Sequence, residues 1–574
     1  MHLCCLVVYR DCFCFVKLLF ELTERPSSTY NLCRFECHYT TKEQLMLETT
    51  PEQIAVYTDE GRDDSAAGVK VVAGPSGALQ VLVEASTSPI CTIAIRWRGP
   101  IGTGVRILGD DWERGYGTLE WRGVVPERAL PWYALLHEPG RGLTRGVGVE
   151  TGAASLASWR VDETGVTLVL DVRCGGLGVR LGERRLNAAT VHELLSRPGE
   201  TPFAFVRRFC GLLCPNPRLP VQPVYGGNDW YSRYGNITAE TVRSDAAVIR
   251  ELSPSGDNLP SYVIDAGWYP ADEHEAGLFD RGNAGFPDMP GLANQLQSSG
   301  VKPGIWMRPL QTTKDAPQSW RFGPEHPLAN VPGVYLDPSV PEVLEHVRKD
   351  IARIVDWGYR VIKHDFSTYD ILGRWGRDMG LAMTLGVTSS GWAFADRTRT
   401  TAEIITGLYS TIREAAGEAQ IIGCNTIGHL AAGHFEMQRT GDDTSGYRWE
   451  RTRIMGVNTV AFRMSQHGTF FCADADCVGL RSEIPWEYNR DWLELLARSG
   501  TALFVSAHPD ATGPEQRAAL KAAFALASQP MELAEPLDWM ESTCPRVWRF
   551  GGEKGETKTY DWHPFPGSSF ACPP

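Results

Sequence analysis

Two aspartates, Asp365 and Asp443, each follow a short apolar run, and each has a cation close behind it in the chain: Lys363 two residues before the first, Arg439 four residues before the second. A pair of carboxyl groups suits cleavage of a glycosidic bond, where one attacks the anomeric carbon or activates water and the other protonates the departing oxygen. Two residues along a strand is one full period, so Lys363 shares a face with Asp365 and its charge would hold that carboxylate ionised as a nucleophile. Asp443 has Asp442 beside it and Arg439 behind it, so its pKa can be driven either way. Polar and aromatic residues end the other apolar runs too: Trp230, Asp265 with Trp268, Trp306 with Arg308, Cys424 with Asn425, and Asp474. With Lys363 and Arg439 they form the candidate substrate-binding set, because flat rings and convergent charged groups suit a sugar cleft.

Each of these residues also has an ordinary structural reading. Asp443 precedes a helix-like stretch, TSGYRWERTRIMGVNTVAFRM, and could be its N-cap. A single Trp at such a position is as readily a packing residue as a sugar platform. Cys424 reads as a small buried residue, since no His base is paired with it. His429 and His434 match a helical metal pair only in spacing, and His364 only in its nearness to Asp365, so neither a metal nor an organic cofactor is expected. The segment FCADADC (471–477) reads as a strand end and loop.

The elements that carry these residues alternate between short apolar strands and amphipathic helices, the pattern of parallel strands joined by crossovers. Eight strands are expected, at 223–229, 261–267, 302–307, 359–365, 420–424, 435–441, 468–474 and 501–506. The stretch from Pro341 to Gly358 puts Val343, Leu344, Val347, Ile351, Ile354 and Val355 on one stripe, opens with Pro and stops at Gly. Further helices are expected at 239–252, 401–416, 487–499 and 514–528. Eight such units make a (β/α)8 TIM barrel over residues 206–530, whose active site lies at the carboxyl ends of the strands. Asp365 and Asp443 then sit on next-but-one strands, facing each other across the mouth.

Before the barrel, residues 46–205 alternate apolar and polar positions between turn formers, most clearly Val166, Leu168, Leu170 and Val172, and read as an N-terminal β-sandwich with nothing catalytic in it. Residues 531–574 read as a short C-terminal β segment, with strands in CPRVWRFGG and KTYDWHPF. Six of the 15 cysteines crowd into the first 37 residues, so 1–45 read as an unstructured or spurious extension, with Met46 the expected start and full activity expected without it. The scattered spacing of the other cysteines suggests reduced thiols and a cytoplasmic setting. With 56 Lys and Arg against 69 Asp and Glu, the net charge of -13 argues against a nucleic acid partner, and no segment approaches the ~20 apolar residues of a membrane span. The expected partner is an oligosaccharide or glycoside, and a homo-oligomer is compatible with the composition.

Taken in chain order, these motifs resemble the melibiase-type enzymes of glycoside hydrolase clan D, families 27 and 36, most nearly the α-galactosidase-like members of family 36. YGGNDW (225–230) is similar to the first-strand motif ending in Asn-x-Trp, and VIDAGW (263–268) to the Asp-Asp-Gly-Trp of the second strand. KPGIWMRP (302–309) and LDPSVPEV (336–343) resemble the third-strand segment and the stretch before the next helix. VIKHDFS (361–367) has the Lys-x-Asp of the nucleophile strand, RTGDDT (439–444) the Arg-x-x-x-Asp of the acid/base strand, and ADADC (473–477) is similar to the Asn-Asp-Pro-Asp of the seventh. The resemblance implies a retaining exo-α-glycosidase, α-galactosidase-like, with Asp365 as nucleophile and Asp443 as general acid/base. It implies that Lys363 and Arg439 bind hydroxyls, that Asp265 accepts from O4 or O6, and that Trp306 offers a stacking face. Asp442 is the second candidate for the acid.

The departures bear on specificity. Ala266 stands where α-galactosidases have a second Asp, Arg308 adds a charge that could recruit a modified or acidic sugar, and the insertion from Ser367 to Arg399 would overhang the site. Transglycosylation of the raffinose-synthase type, action on another sugar such as an N-acetylgalactosaminide or arabinopyranoside, and a barrel that binds carbohydrate without turnover are the alternatives.

Overall fold

The structure, a computed structural model, describes residues 6–9, 12–15, 45–86, 88–271, 277–380, 386–389 and 391–564. Leu6–Tyr9 pairs antiparallel with Cys12–Phe15. The rest of the reading for 1–44, and the last ten residues of the expected C-terminal segment, lie outside the described residues.

Residues from Leu47 onward form a second unit. It opens with two six-stranded antiparallel sheets. The first orders Ala67–Ala73, Leu79–Ser86, Leu186–Leu195, Leu143–Val149, Tyr133–Glu138 and Arg106–Gly109. The second orders Gly61–Arg62, Gln53–Thr58, Thr92–Arg98, Gly165–Asp171, Leu156–Asp162 and Leu130–Pro131. The alternation noted in GVTLVLDVR is the period of a strand with one face in the core, and Val166, Leu168, Leu170 and Val172 are all fully buried.

The barrel follows, its eight parallel strands closed in sequence order: β1 (Tyr225–Asn228), β2 (Ser261–Ile264), β3 (Lys302–Met307), β4 (Val361–His364), β5 (Gln420–Gly423), β6 (Met437–Arg439), β7 (Cys472–Leu480) and β8 (Ala502–Ala507). β8 pairs back onto β1, so no edge is left open. The crossovers include α1 (Ala239–Leu252), α2 (Met289–Ser298), α3 (Pro341–Asp356), α4 (Thr401–Ala416), α5 (Trp486–Ser499) and α6 (Pro514–Ala527). Local chemistry sets their ends. Thr238 and Thr400 each close a capping box on the third helical residue, and Gly500 ends α5 with a left-handed φ of 86°. The buried stripe of α3 is narrower than expected, holding Val343, Val347, Ile351 and Ile354, while Leu344 and Val355 stay at its rim.

Two elements differ from the sequence reading. FCADADC is not a strand end and loop: β7 starts at Cys472 and continues to Leu480, with its register against β8 slipping between Asp474 and Cys477. The slip leaves Asp476 at φ 69°, a bulge that re-aims its side chain without ending the strand. The helix expected directly after Asp443 begins only at Trp449 and runs to Arg463, its middle at Arg453–Asn458 widened into a π-helical turn. The C-terminal piece forms a three-stranded antiparallel sheet of Glu535–Pro536, Val547–Phe550 and Glu556–Thr559. Trp562, just beyond it, is buried and its carbonyl accepts from the Trp449 indole at 2.7 Å.

Candidate active site

The period of β4 separates its side chains. Val361 and Lys363 share one face with Asp365 just beyond the strand, while His364 turns outward between Tyr409 of α4 and Phe435. Burial pushes the His364 imidazole down to about 3, so it stays neutral. Among the described residues no three His, Cys, Asp or Glu side chains converge as a metal site.

Lys363 does not take Asp365 as its main partner. Its ammonium lies 2.7 Å from Asp265 Oδ2, which also accepts from Asn228 Nδ2 at 2.8 Å. Asp265 Oδ1 accepts the Ala266 N–H at 2.9 Å. Beneath this cluster Asp229 accepts the Asp265 N–H at 2.9 Å; burial, and then the charge of Asp265, push the Asp229 carboxyl well above the ordinary range. Asp365 is held instead by two N–H donors, one on each oxygen: Trp306 Nε1 at 3.0 Å and the Phe366 backbone at 2.8 Å. Phe366 adopts φ 63°, and this left-handed turn at the strand end brings its N–H back onto the carboxylate.

The tryptophans divide between site and scaffold. Trp306 meets Asp365 through its nitrogen, and its ring stacks on Tyr269 at 5.7 Å, so it is placed as a hydrogen-bond donor to Asp365. Trp268 has no exposed surface, and its indole donates to the Trp306 carbonyl at 2.9 Å. It supports the third strand and does not reach a substrate. Trp230 is partly exposed, with its ring 5.6 Å from Tyr234.

Around Asp443 the charges are denser than the sequence suggested. Arg439 donates to Asp443 Oδ1 at 3.2 Å, to Asp476 Oδ2 at 2.8 Å and to Cys424 Sγ at 3.3 Å. Asp476, the second Asp of ADADC and not among the expected site residues, also takes the Thr444 N–H and hydroxyl and the Tyr231 hydroxyl, which fixes the loop carrying Asp443. Its signal was there in the Asp-x-Asp spacing. Asp474 is buried, accepts the Asp476 N–H at 2.9 Å, and is pushed up to about 6 by burial. Asp443 keeps 40% of its side chain exposed. Burial alone would raise its carboxyl, but Arg439, Arg114, Lys363 and Arg451 together outweigh that and hold it down to about 2.

Arg114 belongs to the sandwich, which the sequence reading left without chemistry. Gly115 beside it donates to the Thr440 carbonyl and accepts from the Asp442 N–H, both at 2.8 Å, so the sandwich loop pairs with the chain leaving β6. The approach needs glycine on both sides: a Cβ at Gly115 would lie 2.8 Å from the Thr459 methyl, and one at Gly441 would lie 2.1 Å from the Met455 carbonyl oxygen. Glu113 accepts from Asn425 Nδ2, from the Tyr116 hydroxyl at 2.8 Å and from the Gly376 N–H at 2.8 Å. Asn425 is fully buried and receives the Tyr369 N–H at 3.1 Å, so it ties together three parts of the chain and is not free to bind sugar. Cys424 is likewise enclosed, between Arg439 and Arg114, and burial pushes its thiol well up. Arg308 spends its charge on Asp370 of the insertion, at 2.6 Å, with its guanidinium 4.1 Å from the centre of the Phe366 ring, and leaves no unpaired cation for an acidic sugar.

Burial pushes Glu113 up to about 7 against an ordinary value of roughly 4.3. A raised carboxyl contributes stability that is complete below the ordinary value and is lost as pH rises through the folded one. The Glu113 contribution should therefore be lost between about pH 4.3 and 7, and Glu113→Gln should remove that component from the pH dependence of Tm, as read by calorimetry across the range. An unchanged slope would count against a protonated Glu113.

No protein-family model and no curated protein matches the chain. Solved structures do. The α-galactosidase of Thermus thermophilus in complex with p-nitrophenyl α-D-galactopyranoside superposes with a TM-score of 0.58 at 19% identity, covering 86% of this chain and 99% of that one. The family 36 α-galactosidase of Geobacillus stearothermophilus gives 0.54 at 14% identity, covering 87% and 77%. That of Lactobacillus brevis gives 0.55 at 12%, covering 88% and 73%. Among the described residues no helix is long and apolar enough to cross a membrane. At these identities the likeness is one of architecture: the chain has the fold of the family 36 α-galactosidases, a (β/α)8 barrel behind an N-terminal β-sandwich, as the order of its strand-end motifs led us to expect.

Proposed function

We propose that the protein is a retaining exo-acting α-glycosidase of the α-galactosidase type, with Asp365 as nucleophile and Asp443 as general acid/base. The observation that carries this reading is the pair of N–H donors on Asp365, one to each oxygen, in a chain whose next-but-one strand presents an exposed carboxyl beside Arg439. A carboxylate fixed at both oxygens is pre-oriented for attack on an anomeric carbon. The leaving oxygen takes its proton from Asp443, and in the second half Asp443 removes a proton from the water that releases the sugar. In the free protein the cations around Asp443, Arg439 foremost, hold its carboxyl below the ordinary range and favour the carboxylate. A sugar covering its exposed side removes water from it, and this raises the pKa towards that of a working acid.

The Thermus thermophilus enzyme has been obtained with p-nitrophenyl α-D-galactopyranoside and with stachyose, and α-galactosides are accordingly the first substrates to try. The screen is a panel of nitrophenyl α- and β-glycosides with the anomeric product followed by NMR. Release from an α-glycoside with retained configuration supports the reading. Release with inversion, or from β-glycosides alone, overturns it.

Specificity for galactose should be weakened. Asp265 Oδ2 is already engaged by Lys363 and Asn228, and Ala266 supplies no second carboxylate. Loss of a charged hydrogen bond to a buried hydroxyl costs about 1.5–3 kcal/mol, or roughly 10- to 100-fold in binding. Ala266→Asp should raise kcat/KM for the α-galactoside by about tenfold relative to the α-glucoside. An unmoved ratio would mean that the natural sugar is held by other groups.

A further inference from the structure

Two adjacent carboxyls, Asp442 and Asp443, reach the rim after β6, and the structure treats them differently. Asp442 is clamped on both oxygens, Oδ1 by Arg114 at 2.7 Å and Oδ2 by Arg451 at 2.8 Å. Asp443 receives Arg439 at 3.2 Å and only the edge of Arg114, at 3.7 Å, and stays 40% exposed. Arg114 itself cannot wander. Its guanidinium lies 5.6 Å from the Trp375 ring centre and 6.0 Å from that of Tyr116, its Nε is 3.4 Å from Glu113, and Gly115 locks its backbone to the barrel.

We propose, resting on the glycosidase reading, that Arg114 is a positioning residue that selects the proton donor: by fastening Asp442 it removes a competing carboxyl and leaves Asp443 to exchange the proton, so that the sandwich completes the catalytic apparatus of the barrel. The groups facing Asp443 are Arg439 on β6, Lys363 on β4, Arg451 on the following helix, Tyr231 after β1, Asp442 beside it and Arg114 from the sandwich. Without Arg114, Asp442 loses one of its two cations and becomes a second acid next to the first. With only Arg451 on one and Arg439 on the other, the two neighbouring carboxyls raise each other's pKa and compete for one proton.

The test compares wild type, Arg114→Gln, Arg114→Lys and Asp442→Asn, each shown to melt cooperatively, on two substrates of the sugar found in the panel: an aryl glycoside with an acidic phenol, which needs little protonation, and an alkyl glycoside, which needs much. Arg114→Gln should lower alkyl turnover by roughly tenfold while the aryl rate moves far less. Its basic limb of kcat, which reports the acid in the substrate complex, should move up by on the order of one pH unit. Arg114→Lys, which keeps the charge, should restore much of the loss. Asp442→Asn should move the limb the other way, down, because Arg114 is then released to Asp443. Equal losses on both substrates with an unmoved limb in Arg114→Gln would overturn the proposal and make Arg114 a structural clamp. If Arg114→Gln fails to fold, the sign of the Asp442→Asn shift decides, and no shift or an upward one overturns it. A wild type without turnover on any glycoside fails the parent reading and this one with it; an active wild type with unmoved limbs fails this one alone.

Discussion

Asp365→Asn should abolish turnover of aryl α-glycosides, with a loss on the order of 10⁴-fold or more. Two features set the size. The amide cannot form the glycosyl-enzyme, and it also disturbs the cage, because an Asn nitrogen facing either Trp306 Nε1 or the Phe366 N–H would set donor against donor. The variant should still fold, since Asp365 lies at a strand end and the strand's own ladder to its neighbours is backbone hydrogen bonding. Rates on the aryl substrate and a thermal melt check both halves. A correctly folded variant with near wild-type rates would remove Asp365 from the chemistry, and the retaining mechanism with it.

For Asp443→Asn we expect a selective defect. A positioned acid contributes about 10²- to 10⁴-fold where the leaving group needs a proton, and little where it does not. Alkyl glycosides should therefore lose roughly that factor, while an aryl glycoside with an acidic phenol reacts through its first half nearly as before. The second half still needs a base, so the glycosyl-enzyme should accumulate and give a burst of phenol. Loss of the carboxylate also leaves Arg439 with Asp476 as its remaining carboxylate partner. A uniform loss on both substrates without a burst would point to a structural role. If Asp442→Asn gave the selective defect instead, the two neighbours would have to exchange roles.

Much of this arrangement was legible in residue order. The eight barrel strands and the five helices read from periodicity all occur, because a half-buried strand or helix repeats its apolar residues locally whatever lies opposite. The strand-end residues Asp265, Lys363, Asp365, Arg439 and Asp443 were found for the same reason: in this barrel topology a strand terminus is a known place in space. What failed was assigning partners. Nearness in sequence pairs Lys363 with Asp365, yet it bonds Asp265, 98 positions away, at the end of a different strand. Trp268 and Trp306 read alike, and only their neighbours separate a buried support from a donor to the nucleophile.

Residue order is enough to place the strands and helices, their succession around the barrel, and the polar residues at the rim, since these follow from short-range pattern and chain topology. Tertiary structure alone decided how the charges are shared. Glu113 and Asn425 meet across 312 positions, and Arg114 reaches Asp442 and Asp443 only because two glycines let a sandwich loop lie against β6. Coulombic and hydrogen-bond energies depend on distances of a few ångströms between side chains, and those distances come from packing between domains. No local pattern encodes them.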